Sequence, residues 1–405
     1  MVPTSPAKRR TFNSVAFACV LSMSMLFSVF TARAQGKTPV LVGLDGEFGL
    51  ENSNSAQAIE LGLRAAIAEI NAAGGVLGGR PIELMIKDNR AVLARSVSNN
   101  AEFAATPNLV AVFGGRFSPL ILAQVPRLNE IKLPYLAVWS AADAIVDNGM
   151  RPNYLFRLSL RDGLAMPKLL QSAQQRGFDK VGLMLLNTAW GSSSLDAAEN
   201  YIRGVKNQKI VDTSWVYARD PTLIKPYKKL TDAGAQAVIL VANSREAALL
   251  VREVAALPPS QRVPIFSHWG VTGGEFFKLA ESAIEDVDLS VVQTFSFFTA
   301  DKQLLARFMK TAEQTAGIKR IEDIQAPAGV AHAYDLMHIL AKAINLARST
   351  DRSAIRDALE KVPEHRGLVK LYKPPFSPTR HEALGSEELL MTRYNRLGVL
   401  LPTQK

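Results

Sequence analysis

The chain has 405 residues, of which 48% are hydrophobic and 21% charged, and its formal net charge is +10. This composition excludes a disordered or fibrous protein, and the length suffices for two or three domains with hydrophobic cores. No cluster of lysine and arginine exceeds three residues, which argues against a nucleic-acid-binding protein.

The first residues have the pattern of a secretory signal sequence. Three basic residues at positions 8–10 precede an apolar stretch over residues 14–30, and an A-x-A cleavage pattern ends at Ala34. We therefore expect residues 1–34 to be a signal peptide, cleaved after Ala34, and a periplasmic location for the mature chain. An uncleaved membrane anchor and a lipoprotein attached at Cys19 are the alternatives.

Cleavage after Ala34 would change both the charge and the cysteine content. It removes four basic residues and no acidic one, so the 47 basic residues become 43 and the net charge falls to +6. It also removes the one cysteine of the sequence, so the mature chain has neither a disulfide nor a thiolate metal ligand. We expect no metal and no other cofactor.

Short apolar runs alternate with longer helical segments from residue 40 onward. A strand is predicted at residues 40–44, and a helix over residues 53–71 follows, because its apolar residues recur at i, i+3 and i+4. Gly74 and Gly75 are typical of a helix end. The other elements of this series are strands at residues 82–87, 109–113 and 135–138 and helices at residues 91–104 and 118–129.

The alternation starts again near residue 181. Strands are predicted at residues 181–186, 210–216, 237–241, 264–266 and 289–294, with helices at residues 194–206, 223–232, 244–256, 304–315, 328–347 and 351–361. Repeated strand–helix–strand units form parallel sheets that helices cover on both faces. The fold class is therefore α/β with two doubly wound parallel-sheet lobes, whose ligands bind at loops beyond the carboxyl ends of the strands.

A glycine-rich loop at residues 43–49 follows the first strand and contains Asp45, Glu47 and Phe48. Its G-x-x-G-x-x-G spacing differs from the dinucleotide fingerprint, and its two carboxylates would repel a pyrophosphate. The loop is either a cleft loop whose carboxylate meets a cationic group of a ligand or a surface loop with solvated acids.

The next two loops of the first lobe offer hydrogen-bond donors. The glycines at positions 114 and 115 allow a close backbone approach, and the following helix presents free N–H groups that suit an anion. Ser118 serves the ligand, caps this helix, or does both. The candidate binding residues of these loops are Arg116, Phe117, Ser118, Trp139, Ser140 and Ala141.

Aromatic residues follow two strands of the second lobe. Trp190 lies in a predicted loop, and His268 and Trp269 follow the strand at residues 264–266. Because an exposed tryptophan at a loop tip is costly, Trp190 either packs in the core or lines the cleft, and we favour the cleft. Tryptophans on one lobe that face polar donors on the other indicate an apolar pocket with a few hydrogen bonds.

Catalytic and metal-binding motifs are absent from the sequence, including H-E-x-x-H, C-x-x-C, G-x-S-x-G and the P-loop pattern. The protein is therefore not expected to be an enzyme. A secreted oxidoreductase or hydrolase, in which residues distant in sequence assemble the site, is the alternative that turnover by the purified protein would reveal.

Several motifs occur in order along the whole mature chain. The helix end E-I-N-A-A-G-G at residues 69–75 is the most specific, and G-R-P at 79–81, W-G at 190–191 and A-Y-D-L-M at 333–337 follow it. Together they resemble the periplasmic substrate-binding proteins of branched-chain amino acid ABC transporters, the type I or leucine-binding-protein-like family. A ligand sensor of the same fold that signals to a membrane protein is the alternative function.

The resemblance implies a two-lobed receptor with a three-strand hinge. Such a receptor closes on a small ligand and docks on a membrane permease, so the expected partners are the permease and ATPase subunits of an inner-membrane ABC transporter, and a monomer is the family norm. By analogy the chain crosses between the lobes near residues 154–157, 288–294 and 363–367. The lobes would then be residues 35–155 with 293–363 and residues 156–292 with 364–405.

The resemblance also implies roles for individual residues. Ser118 corresponds to the hydroxyl that binds the ligand carboxylate, and residues 139–141 correspond to a second turn that binds carboxylate and amine. Trp190 stands where a tyrosine usually stacks over the ligand. The threonine that the family often has near Ala141 is absent here.

One departure concerns the charge of the ligand. His268 and Trp269 stand where many relatives place an acidic residue for the ligand ammonium, and this sequence has no acid there. If the ligand carries an ammonium, Asp45 or Glu47 of the other lobe is the candidate to replace that acid.

Overall fold

The structure is a computed structural model that describes residues 37–403. Its strands are β1 (Val40–Gly46), β2 (Ile82–Asp88), β3 (Leu109–Gly114), β4 (Tyr135–Ala137), β5 (Leu155–Arg157), β6 (Lys180–Leu186), β7 (Lys209–Val216), β8 (Ala237–Val241), β9 (Ile265–Ser267), β10 (Leu289–Gln293), β11 (His365–Arg366), β12 (Leu371–Tyr372), β13 (Leu390–Tyr394) and β14 (Leu400–Pro402). Its α-helices are α1 (Ser55–Ala72), α2 (Leu93–Ala105), α3 (Ser118–Leu122), α4 (Val125–Glu130), α5 (Asp162–Gln175), α6 (Ala189–Ile202), α7 (Ile224–Asp232), α8 (Ser244–Ala255), α9 (Phe276–Ala280), α10 (Lys302–Ala316), α11 (Pro327–Ala347) and α12 (Arg352–Leu359). The predicted signal peptide, its cleavage after Ala34 and Cys19 lie outside the described residues.

Five strands form the first sheet in the order β2-β1-β3-β4-β5, and every neighbouring pair is parallel. Helix α1 buries Ile59, Leu63 and Ile70, as the i, i+3 and i+4 spacing predicts. Helix α11 passes close to α1 because Gly62 has no side chain: a Cβ there would lie 2.2 Å from the carbonyl oxygen of Val330. The buried apolar face of α1 and its close approach to α11 at Gly62 thus fix the position of these two helices.

Seven strands form the second sheet in the order β14-β13-β10-β9-β8-β6-β7. The five strands from β10 to β7 are parallel to their neighbours, whereas β13 and β14 are antiparallel. The α/β fold with two parallel-sheet lobes is confirmed. The antiparallel strands at residues 390–402 are not part of the predicted elements. Thr392 and Arg393 interrupt the apolar pattern of β13, and β14 has only three residues.

The predicted helix over residues 118–129 is two short helices, α3 and α4. Pro119 and Pro126 each lie in the first turn of one of them. Proline lacks an N–H and fits a first turn but not a helix interior, so Pro126 ends the continuous pattern. The helix that starts at Ser118 therefore has only five residues.

Helix α6 begins at Ala189, earlier than the predicted start at residue 194. Thr188 is its N-cap residue, and the Thr188 hydroxyl accepts a hydrogen bond from the N–H of Gly191 at 3.4 Å. Trp190 therefore lies in the first turn of a helix and not in a loop, which fixes the direction of its ring.

Helix α5 is absent from the predicted elements. Gly163 and Pro167 lie inside it, and both residues argue against a helix when the sequence is considered alone. The i, i+4 spacing of Ala165, Leu169 and Ala173, all buried, is the signal that indicates it. The helix matters for the site because its first residue is Asp162.

Candidate ligand-binding site

A cavity of about 210 Å³ lies where the carboxyl ends of the two sheets meet. Residues that follow β3 and β4 of the first sheet line it together with residues that follow β6, β7, β8 and β9 of the second. Seven of the twelve predicted site residues line this cavity: Arg116, Phe117, Ser118, Trp139, Ala141, Trp190 and Trp269. Seven further residues line the cavity and are not among the predicted site residues, although all lie at or after strand ends: Ala91, Pro119, Leu186, Thr188, Ala218, Asn243 and Gly270.

Other hollows of the described region have a different character. One of about 240 Å³ and one of about 760 Å³ contain no tryptophan, and charged side chains such as Glu275, Lys278, Asp301 and Arg366 line them. Small-molecule sites are mostly apolar concavities with a few placed polar groups. The cavity at the strand ends fits that description best.

Three tryptophans give the cavity its apolar wall. The rings of Trp139 and Trp269 come from opposite sheets and pack against each other, with centroids 5.2 Å apart and an angle of 32° between the planes. Two glycines make room for the rings: a Cβ at Gly329 would lie 2.2 Å from the Trp139 ring, and a Cβ at Gly270 would lie 2.5 Å from the Trp190 ring. The positions of these two rings therefore depend on the absence of a side chain at Gly329 and Gly270.

Asp162, on the second-sheet side, holds Trp190 in place. Its Oδ1 accepts hydrogen bonds from Trp190 Nε1 at 3.1 Å and from the Ser194 hydroxyl at 3.1 Å, and His268 Nε2 lies 3.1 Å from the same oxygen. His268 is fully buried and does not line the cavity; its ring meets the edge of Trp190. Sequence reasoning missed Asp162, because its partners lie 28 to 106 residues away.

A buried ion pair supports the turn that follows β4. Arg157 is fully buried and donates to both carboxylate oxygens of Glu382, while its Nη1 donates to the carbonyl oxygens of Ser140 at 3.2 Å and Ala142 at 2.7 Å. The Ser140 hydroxyl donates to the carbonyl of Gly115 at 2.8 Å and does not line the cavity. Ser140 thus serves the turn rather than the cavity surface.

Ser118 does line the cavity. Its hydroxyl accepts a hydrogen bond from the Ala142 N–H at 3.2 Å, so it joins the two loops of the first sheet. A hydroxyl that accepts one hydrogen bond still has its own hydrogen to donate. Ser118 therefore offers a donor at the cavity.

Arg116 lies at the contact between the two sides. Its Nη1 donates to the carbonyl of Gly273, and its guanidinium lies 4.7 Å from the centre of the Phe117 ring. Its Nε is buried and has no hydrogen-bond partner. Burial lowers the pKa of Arg116, while the negative charges of Glu47 and Glu246 oppose that shift.

Asp45 and Glu47 lie apart from the tryptophan cavity. Asp45 accepts hydrogen bonds from Asn99 Nδ2 at 2.7 Å and from the Ser96 hydroxyl, and burial raises its pKa. Glu47 accepts from the Ser55 hydroxyl, and both acids line a separate hollow of about 10 Å³. Local donors therefore hold these acids, and this placement differs from the expectation that one of them reaches a ligand ammonium.

Phe48, the last predicted residue of that loop, is half-buried and is not among the residues that line the cavity. It packs at the end of β1, where a Cβ on Gly46 would lie 2.9 Å from the Phe48 ring. Phe48 thus belongs to the packing of its own loop.

Main-chain hydrogen bonds join the two sides across the cleft. The Asn54 N–H donates to the carbonyl of Gly273 at 3.2 Å, and the Glu275 N–H donates to the carbonyl of Asn52 at 3.1 Å. On the opposite rim the Asp143 N–H donates to the Ser193 hydroxyl at 3.1 Å. The loops of the two sheets are thus in direct contact around the cavity.

None of the helices within residues 37–403 combines the length and apolar character needed to cross a membrane. The same part of the chain holds no cluster of three or more histidine, cysteine, aspartate or glutamate side chains arranged to bind a metal ion.

Similarity to known proteins extends over most of the chain. The periplasmic binding protein family matches residues 37–386. Leu/Ile/Val-binding protein homolog 7 of Brucella melitensis biotype 1 is 22% identical over 357 residues, and the aligned region covers 84% of this chain and 84% of that protein.

Two solved structures share the fold. A type 1 periplasmic binding protein from Bordetella pertussis Tohama I superposes with a TM-score of 0.80 at 20% identity, covering 91% of this chain and 100% of that one. A solute-binding protein of an ABC transporter from R. palustris, in complex with 4-hydroxybenzoate, superposes with a TM-score of 0.75 at 18% identity, covering 91% and 96%. At this identity the likeness establishes the fold alone.

Proposed function

Because this chain belongs to the periplasmic binding protein family, we propose that it is an extracytoplasmic receptor that closes on one small carboxylated solute and delivers it to an ABC permease. The observation that carries the proposal is the cavity that the strand ends of both sheets share. When two bodies each contribute half of a site, a solute binds most tightly with both in contact, so binding favours the closed form.

The moving parts that we propose are residues 35–157 with 293–363 and residues 158–292 with 364–405. The first boundary follows residue 157, and not residue 155 as the resemblance implies, because β5 (Leu155–Arg157) belongs to the first sheet. The cross-cleft hydrogen bond between Asp143 and Ser193 joins these two groups, as do the main-chain bonds of Gly273 and Glu275. The closed form would be a monomer that presents both lobes to the permease of a transporter whose ATPase subunit is the second partner.

The class of solute has two sources of support. The name of the Brucella relative refers to leucine, isoleucine and valine, and the R. palustris protein holds 4-hydroxybenzoate. These compounds share a carboxylate on a small apolar body. The cavity described above pairs an apolar wall with the hydroxyl donor of Ser118.

A solute screen with two readouts tests the receptor function. A solute at 100 times its Kd adds about 2.7 kcal/mol to the free energy of unfolding, which differential scanning fluorimetry detects. Small-angle X-ray scattering on the same samples should show a monomer whose radius of gyration falls on binding. Deletion of the gene should abolish uptake of that solute by cells, and a wild-type copy should restore it.

Two results would contradict this function. Mass spectrometry that finds the solute chemically changed after incubation with the purified protein would indicate an enzyme. Binding without compaction, together with unimpaired uptake in the deletion strain, would remove the basis for a transport role.

A further inference from the structure

We propose, on the basis of the receptor function above, that the solute is a monocarboxylate without an ammonium group, whose body is a single flat apolar ring. Three observations lead to this class: the cavity offers no carboxylate, Arg116 offers an unpaired positive charge, and the tryptophan wall leaves room for one ring. Each observation concerns a different property of the solute.

Among residues 37–403, no acidic side chain lines the cavity. Three buried acids lie near the strand ends but do not line the cavity: Asp45 is held by Ser96 and Asn99, Glu47 through Oε1 by Ser55, and Asp162 through Oδ1 by the group around Trp190. Within residues 37–403, Glu47 Oε2 and Asp162 Oδ2 are buried without a hydrogen-bond partner, but neither acid reaches the cavity surface. A solute ammonium enclosed here would lose its water without gaining a carboxylate partner. An unpaired buried charge is strongly destabilising, so an α-amino acid is disfavoured.

Arg116, in contrast, is a buried positive charge that lacks an anionic partner in the described part of the chain. It is 9% exposed, its Nε has no partner, and no carboxylate oxygen within residues 37–403 lies within 4.0 Å of its guanidinium. Glu47 and Glu246 act on it only from a greater distance. A buried guanidinium is stabilised most by a carboxylate that its planar N–H groups can reach, so an anionic group at the Arg116 end completes the site.

The wall determines the body of the solute. Trp139, Trp190, Trp269, Phe117 and Leu186 surround the cavity, whose volume is about 210 Å³. An apolar cavity of about 150 Å³ holds benzene, so this one has room for one ring and a short acidic substituent. Thr188 and Asn243 lie at its second-sheet side and offer hydrogen bonds to a ring substituent.

An aromatic cage for a quaternary ammonium is the other use of clustered tryptophans. The geometry disfavours it here, since Trp139 and Trp269 pack ring to ring at 5.2 Å and enclose no space between them. Arg116 at the same cavity would also repel a cation.

Calorimetry with matched probes tests the solute class. The probes are 3-phenylpropionate, benzoate, L-phenylalanine, L-leucine, 3-phenylpropanamide and glycine betaine. L-phenylalanine differs from 3-phenylpropionate only by the α-ammonium, and the amide differs only by the charge of the acid. We expect a ring acid to bind at least 100-fold more tightly than L-phenylalanine and at least 30-fold more tightly than the amide.

The outcomes separate this proposal from the receptor function. If L-phenylalanine, L-leucine or glycine betaine binds as tightly as the acids, the ammonium-free class is overturned and the receptor function stands. If none of the probes binds but a solute that is not a ring monocarboxylate compacts the protein, the class is again overturned alone. If no solute from any screen binds or compacts the protein, both fail.

Variants of Arg116 test the anion partner. Arg116→Gln should weaken 3-phenylpropionate about 100-fold and the amide less than 5-fold, whereas Arg116→Lys should keep part of the preference for the acid. Arg127, an exposed arginine paired with Glu130, provides the control Arg127→Gln, which should bind as wild type. If Arg116 acts only through its bond to Gly273, the acid and the amide weaken equally, and that result overturns its role.

Discussion

Both sides of the cleft bury acidic side chains, but they use them differently. On the first-sheet side, Asp45 takes its hydrogen bonds from Ser96 and Asn99, which both lie on α2 and do not line the cavity. On the second-sheet side, the partners of Asp162 are Trp190 and Ser194 of α6 and His268, which follows β9. One of them, Trp190, lines the cavity. An acid near a cavity therefore indicates little about the charge of a ligand until its donors are known.

The largest effect should follow from Asp162→Ala. The variant removes one acceptor and leaves Trp190, Ser194 and His268 without it, so the free energy of unfolding should fall by about 4 kcal/mol. Urea denaturation measures this change, and Asp196→Ala at an exposed position of α6 should stay within about 0.5 kcal/mol of wild type. If the free energy of unfolding fell by less than about 1 kcal/mol, Asp162 would not hold its side of the cleft together, and the contrast with Asp45 would be lost.

The pH dependence of stability tests a buried histidine next to the cleft. His332 on α11 lies 3.1 Å from the carbonyl of Val138 and 2.8 Å from the Thr294 hydroxyl, and burial lowers its pKa from 6.5 to about 4. The fold therefore favours the neutral ring, and this contribution is present above pH 6.5 and is lost as the pH falls toward 4.

On that basis, acidification from pH 7 to pH 4 should cost on the order of 3 kcal/mol through His332 alone. His332→Asn keeps an amide donor for Val138 but does not titrate, so its stability should fall less steeply over the same range. Parallel curves of urea midpoint against pH for the two proteins would show that His332 does not make this contribution.

A smaller effect is expected from Trp190→Phe. Phenylalanine keeps a ring at the wall but has no N–H for Asp162, so 3-phenylpropionate should bind about tenfold more weakly, or about 1.4 kcal/mol. Calorimetry provides the measurement. Trp215→Phe, at a partly exposed position of β7, is the matched control and should bind as wild type.

The smallest effect on binding should come from Asp45→Asn. Because its donors are local, 3-phenylpropionate should bind within twofold of wild type. Burial raises the pKa of Asp45 above 3.8, so the wild type loses stability as the pH rises through the folded-state pKa, and the asparagine variant does not. A tenfold weaker binding by the variant would instead place Asp45 in the site.

The sequence pattern was sufficient for the elements that bury one continuous face. Helix α1 and the central strands of both sheets follow their apolar periodicity, and Trp190 stood out because an exposed indole is costly. It was not sufficient for α5, where Gly163 and Pro167 mask a buried i, i+4 stripe. Nor could it indicate that Asp162 meets His268, since 106 residues separate them and the contact exists only in the folded chain.

The main-chain bonds across the cleft have a consequence for evolution. Asn54 donates to Gly273, and Glu275 donates to Asn52, through peptide groups that every non-proline residue possesses. Substitutions other than proline at positions 52, 54 and 275 therefore keep these hydrogen bonds, whereas Gly273 is restricted because a Cβ there would lie 2.2 Å from Arg116 Nη1. During evolution, the side chains around the tryptophans can therefore change, and the bound solute with them, while the main-chain hydrogen bonds between the two sides of the cleft remain.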